Sequence, residues 1–296
     1  MTEKLTIIGG TGHLSTRVVR LLRARGMRLE LVARNPGKAR ALFGEGVEIV
    51  TADVEDTASL RSALQGSRAV YIHLNTEAVD ESISFYPERE GVRNIVEAAK
   101  ANGVAHLIQI AGIEPLRPDF FRSGIINTEG IRRAGMEAVA GSGIPYTFLN
   151  CSVFLDSLPR FVAEDSLAVF GNPTNRIHFT NTNQLAEHLF HVAGNPASFG
   201  KSLPVQGREG LDFTTAARRF LAVFDPAIKI EQLPIEAIDS FGLPPESAGF
   251  LKHVWEVTSG MQEEFIAGEV HQVFGRPVLT IEGFAEKLRG ERLETR

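Results

Sequence analysis

The stretch LTIIGGTGHLSTRVV, residues 5–19, decides how the chain is read. An apolar β-branched run leads into Gly9, Gly10, Thr11 and Gly12, and an amphipathic segment follows at once. That order is strand, glycine turn, helix. Glycine adopts positive φ without steric cost and lets a backbone approach a phosphate closely. A helix starting near His13 or Leu14 aims its free N–H groups and its positive end at the same place. The glycine spacing is G-x-x-G, and Ser15 stands where a third glycine often packs helix against strand. Serine is small enough for that packing and is also a ready helix cap. The turn predicts a dinucleotide diphosphate held by Gly9, Gly10, Thr11, Gly12, His13 and Leu14.

Outward from this stretch the pattern repeats. Apolar runs at 29–33, 47–51, 69–74, 106–111 and 146–150 alternate with helix-period segments. In the first of those segments Val18, Val19, Leu21 and Leu22 form one stripe, and Gly26 stops it. DTASLRSALQG, capped by Asp56 or Thr57, and GVRNIVEAAKANG continue the alternation. Strands alternating with helices predict βαβ units and a parallel sheet, and runs without polar alternation fit strands covered on both faces. Past residue 150 the rhythm changes. NQLAEHLFHVAGNP, GLDFTTAARRFLAVF (opened by Asp212 or Thr214) and LTIEGFAEKL predict helices, and KSLPVQG one more strand. Of 19 phenylalanines, 14 follow residue 151, which points to core packing with an apolar lid or pocket.

Composition bounds the function. With 296 residues, 43% hydrophobic, the chain has ample core for two domains or one large α/β unit. A net charge of −5 leaves no basic footprint for nucleic acid. No apolar run reaches the roughly 18 residues that span a membrane. The start goes straight into strand-like sequence, so no secretory leader is expected, and the single cysteine, Cys151, excludes an internal disulfide. A reducing, cytoplasmic setting is expected.

The second strand should end in the residue that reads the ribose. An acidic residue there would suit NAD; what stands there is Arg34, in LVARNPGKAR. A guanidinium suits a 2′-phosphate, so the expected cofactor is NADP(H), with Arg17, Lys38 and Arg40 adding positive charge. Asp53 and Val54, after the third strand, are placed beside the adenine. The fourth strand ends at His73, Leu74 and Asn75, and the fifth at Ala111 and Gly112. Ligands bind outside the carboxyl ends of such strands, so these residues are assigned to the nicotinamide side.

IIGGTGHLSTRVVRLLRARG, VARNPGKA, TADVEDTASLRSALQGSRAVYI, GVRNIVEAAKANGVAHLIQIAG and SGIPYTFLN together resemble the NmrA-like group of atypical short-chain dehydrogenases/reductases. The resemblance is good over about residues 1–160 and weaker beyond. It implies an α/β fold: a Rossmann doubly wound parallel sheet over 1–150, then a smaller α+β substrate-binding region over 151–296, partly interleaved with the sheet. It also implies either an NAD(P)H-dependent reductase of quinones and aromatic metabolites or a redox sensor that binds the dinucleotide without turning it over.

The usual acid of short-chain dehydrogenases, Tyr-x-x-x-Lys, is missing. Four residues after Tyr71, Tyr86 and Tyr146 stand Asn75, Glu90 and Asn150. Many NmrA-like reductases keep a lysine on the helix before SGIPYT; here Arg132 and Arg133 occupy that place. Arginine is a poor acid at neutral pH. His73 is the best replacement donor by ordinary pKa, ahead of Glu114, Asn127, Thr128 and Glu129. Catalytic roles are thus assigned to His73, Arg132 and Arg133. His188 and His191 are expected on a helix surface, because two ligands alone make no metal site. Cys151 is expected to be a buried thiol. The leading function is hydride transfer from NADPH to a small apolar, quinone-like or aromatic acceptor by a monomer or homodimer. The alternatives are a non-catalytic NADP(H) sensor regulating a partner protein, and a redox-neutral isomerase or cyclase with bound cofactor.

Overall fold

The computed structural model describes residues 4–76, 79, 83–122, 128–275, 277 and 279–294. In chain order the elements are β1 (Leu5–Ile8), α1 (His13–Ala24), β2 (Leu29–Ala33), α2 (Pro36–Phe43), β3 (Glu48–Thr51), α3 (Thr57–Ala63), β4 (Ala69–Ile72), α4 (Val92–Ala101), β5 (His106–Gly112), α5 (Glu129–Ala140) and β6 (Tyr146–Cys151). They continue with β7 (Val162–Ala163), β8 (Ser166–Phe170), α6 (Thr182–Val192), β9 (Lys201–Val205), α7 (Phe213–Phe224), β10 (Lys229–Leu233), α8 (Pro245–Gly260), α9 (Gly268–Phe274) and α10 (Ile281–Glu294). Two compact units result: Met1–Leu116, Asn127–Cys151 and Thr182–Val205 form the first, and Arg117–Ile126, Ser152–Asn181 and Gln206–Arg296 the second.

The first unit holds a seven-stranded sheet in the order β3-β2-β1-β4-β5-β6-β9. Every neighbouring pair is parallel. This is the doubly wound Rossmann arrangement. β1, β2 and β4 are buried along their whole length, as strands covered by helices on both faces must be. Both edge strands, β3 and β9, are partly exposed. The order reverses between β1 and β4, which opens a crevice at their carboxyl ends.

The helices form for identifiable local reasons. α1 buries Ser15, Val18, Val19 and Leu22, while Leu21 is half-exposed. Its N-cap is Gly12, without a side-chain bond, so Ser15 lies inside the first turn and does not cap it. α2 begins where Asn35 accepts the Lys38 N–H at 2.9 Å and Pro36 supplies a preset φ. α3 is capped by Asp56, which accepts from Ala58 and Ser59. A five-residue π turn, Pro87–Gly91, opens α4. On α6, His188 is buried, with Nδ1 bonded to the Gln184 carbonyl at 2.8 Å. The expected pair of surface histidines is therefore corrected: only His191 is exposed, 2.9 Å from Glu187.

The second unit has its own small sheet, β10-β8-β7, parallel in the first pair and antiparallel in the second. Helices complete it. Phe170, Phe179, Phe213, Phe220, Phe224 and Phe284 are buried together with Trp255. Trp255 sits 4.8 Å from the Phe213 ring and 5.2 Å from Phe161. Much of the phenylalanine excess is thus spent on this core. No described helix is long and apolar enough to cross a membrane.

α7 supplies three of those phenylalanines, and Asp212 caps it by accepting the Thr215 N–H at 2.8 Å. Burial opposes ionisation of Asp212, but the hydrogen bonds from Thr215 outweigh it and hold its carboxyl below the usual value. Asp212→Ala is expected to cost about 1 kcal/mol in urea unfolding near neutral pH. A group with a lowered folded pKa stabilises above its unfolded pKa and loses that effect as pH falls through the folded one. The gap between variant and parent should therefore shrink in acid. A gap independent of pH would assign the loss to something other than the ionised cap.

Candidate cofactor site

The three glycines of the turn stand where they do for different reasons. β1–β4 pairing runs on past the strands, with the His73 N–H 3.0 Å from the Ile8 carbonyl. Gly9 follows with φ of +86°, and a Cβ there would lie 2.0 Å from the His73 carbonyl oxygen. Gly10 packs instead: its Cβ would meet Leu31 Cδ2 at 2.9 Å. Gly12 is exposed, and its Cβ would meet nothing closer than the Gly9 carbonyl at 3.5 Å. The Gly12 N–H reaches that carbonyl at 3.3 Å and closes the turn. Thr11 and Leu14 are half-buried and His13 is exposed. Ser15 is 1% exposed, and its hydroxyl has no hydrogen-bond partner among the described residues. A buried, unsatisfied hydroxyl in the first turn of α1 calls for an acceptor from outside the chain.

Arg34 directly follows β2. It is exposed and makes no hydrogen bond or ion pair among the described residues. Lys38 and Arg40 are exposed nearby, whereas Arg17 is committed to Asn183 Oδ1 at 3.0 Å. Asp53 turns the chain after β3, its Oδ1 accepting the Glu55 N–H at 3.1 Å. The Val54 carbonyl accepts from Asn94 Nδ2 at 2.8 Å. Leu74 is half-buried and Asn75 exposed.

His73 Nδ1 shares a hydrogen bond of 3.0 Å with the hydroxyl of the fully buried Tyr71. Burial pushes His73 down to about 4 and Tyr71 well above its ordinary value. Burial thus favours the uncharged imidazole over the imidazolium. Burial likewise raises the Cys151 thiol and keeps it protonated.

At the end of β5, Ala111 and Gly112 are half-buried, and the Gly112 carbonyl accepts from Asn150 Nδ2 at 2.8 Å. Glu114 folds back over this end; a Cβ on Gly112 would lie 1.8 Å from its Oε2. Arg132, on α5, faces two buried carboxylates. Its Nε is 3.3 Å from Glu88 and its Nη1 is 3.7 Å from Glu114. Arg133 is exposed and paired with Glu129 at 3.4 Å, so the two arginines do not act together. Thr128 is buried, and Asn127 lies outside the described residues. Glu88, on the π turn, gave no signal in the sequence.

The residues present fit a dinucleotide: a cradle that a Cβ would fill, an orphaned hydroxyl at a helix start, and a free guanidinium after the second strand. The family profile described as NAD(P)H-binding matches residues 9–177, more than half of the chain. The chain belongs to the NAD(P)H-binding family. By sequence it is similar to an NAD(P)H azoreductase of Xenophilus azovorans, 22% identical over 95% of this chain and 96% of that one. An NmrA-like family domain-containing oxidoreductase of Aspergillus japonicus is 32% identical over 36% of this chain and 34% of its own. In structure the chain resembles an NADPH-dependent quinone oxidoreductase of Escherichia coli solved with NADPH. The TM-score is 0.74 at 22% identity, covering 96% of this chain and 99% of that one.

Proposed function

We propose that this chain is an NADPH-dependent reductase that passes hydride to a small apolar acceptor of quinone-like or aromatic type. The observation that carries the cofactor half is the free Arg34 beside a glycine cradle at the sheet's reversal point. Gly9 to Leu14 would hold the diphosphate, Arg34 the 2′-phosphate, and Asp53 and Val54 the adenine. His73, Leu74, Asn75, Ala111 and Gly112 would border the nicotinamide. Bound NADPH would supply the hydride.

The acceptor class rests on names and on chemistry. Relatives are named as azoreductase and quinone oxidoreductase. An electron-poor acceptor takes hydride readily, so holding two reactants in register supplies much of the acceleration. That suits a site whose histidine is uncharged and whose tyrosine is buried.

The test is titration with NADPH and NADH, followed by NADPH oxidation across quinones, azo dyes, enones and imines. Tighter NADPH binding with turnover on part of the panel is the expected result. Tight binding without oxidation anywhere would replace this reading with the redox sensor. Product formed without net cofactor oxidation would replace it with the isomerase.

A further inference from the structure

Glu114 is a carboxylate that the fold has buried without finishing its partnerships. Its side chain is 9% exposed, and Oε1 has no hydrogen-bond partner among the described residues. The nearest cation, Arg132 Nη1, stands at 3.7 Å, too far for a hydrogen bond. That guanidinium lies closer to Glu88. The carboxyl sits over the carboxyl end of β5 because residue 112 is glycine. Ligands of such sheets bind at this end. One cation between two buried carboxylates does not satisfy both, and the one further from it is the easier to protonate.

We propose that Glu114 is the proton donor to the reduced acceptor, in place of the missing tyrosine and lysine; this rests on the reductase reading above. The acceptor gains hydride from the nicotinamide, and negative charge collects on its oxygen. The Glu114 O–H bond breaks, its proton forms the new O–H bond, and the electron pair stays on the carboxylate. Water returns a proton to Glu114. The sum is NADPH, acceptor and one proton giving NADP+ and reduced acceptor.

The charged groups facing Glu114 are Arg132 and Glu129 on α5 and Glu88 on the π turn. Burial raises the Glu114 pKa; Arg132 opposes this, and Glu88 and Glu129 add to it. Quinone reduction should therefore decline as pH rises through the Glu114 titration.

Two acceptors separate this proposal from the reading beneath it. A quinone needs hydride and a proton, whereas a cationic triarylmethane dye, itself a carbocation, needs hydride alone. Glu114→Gln is expected to lower the quinone-to-dye rate ratio at least about 100-fold. An unchanged ratio, with both acceptors reduced, overturns Glu114 and leaves the reductase standing. Failure of the parent protein on every acceptor overturns the reductase instead. A readout without turnover is the infrared carboxyl band of the cofactor-free protein. A protonated glutamate should persist above the ordinary range, vanish in Glu114→Gln, and titrate at higher pH in Arg132→Gln. Absence of that band, or a downward shift in Arg132→Gln, overturns the proposal even if Glu114→Gln folds poorly.

Discussion

Gly9→Val is expected to abolish measurable NADPH binding, with affinity down at least about 100-fold, equivalent to about 2.7 kcal/mol or more. The φ of +86° at Gly9 disfavours any side chain, and a Cβ would stand 2.0 Å from the His73 carbonyl oxygen. That obstacle is backbone, so no rotamer change relieves it; β1 and β4 would have to part at the point where the crevice opens. The left-handed φ costs about 1–2 kcal/mol and the overpacking a similar amount, so stability should fall by about 3 kcal/mol. Gly12→Ala separates binding from folding. Gly12 has φ of −74°, and its nearest neighbours would be at 3.5 and 3.6 Å. Its stability should change by less than about 1 kcal/mol. Its methyl would still stand against a phosphate oxygen, and NADPH affinity should fall at least about tenfold. Calorimetric titration of both variants is the measurement. Parental affinity in Gly12→Ala would remove the diphosphate from this turn.

Arg34→Asp is expected to invert cofactor choice. An exposed guanidinium with no partner among the described residues offers a charge-assisted fork to a 2′-phosphate. Aspartate removes that fork, repels the phosphate and accepts hydrogen bonds from the 2′- and 3′-hydroxyls of NAD. The ratio of NADPH to NADH affinity should drop roughly 100–1,000-fold, most steeply at low ionic strength. Lys38 and Arg40 remain, so the NADPH affinity left over should itself be salt-sensitive. A ratio that stays within threefold would show that Arg34 is a solvated loop residue.

Burial on both faces explains why the sheet was legible. β1, β2 and β4 appear in the sequence as mostly apolar runs, interrupted by Thr6 and Glu30, which suits a covered strand. α2 was overlooked because its Asn-Pro opening was read for the charges behind it, although the same dipeptide is a helix start. His188 was placed on the surface because its spacing to His191 says nothing about which side of α6 packs. The carboxylates near the carboxyl end of β5 were hardest. Glu88 sits in charged sequence and Glu114 in a short loop between Ile113 and Pro115, and neither setting marks a buried carboxylate. Glu88 is brought there by a π turn and by Gly135, where a Cβ would lie 2.0 Å from the Glu88 carbonyl oxygen. Only the close approach of α5 gives that glycine a meaning. The protonation state of His73 depends in the same way on depth, which strand periodicity does not reveal.

The late arrival of β9 has a consequence for how the protein is made. β6 ends at Cys151, but its outer neighbour, β9, begins at Lys201. During synthesis the growing sheet therefore carries an open edge while some fifty further residues leave the ribosome. An unpaired parallel edge is a template for a neighbouring nascent chain, and long-range parallel pairing is slow. A fragment cut at the end of β6 keeps the glycine turn, Arg34 and Glu114 but lacks α6 and β9. The cofactor residues can be read from the first half of the chain, yet their scaffold closes only when residue 205 has been added.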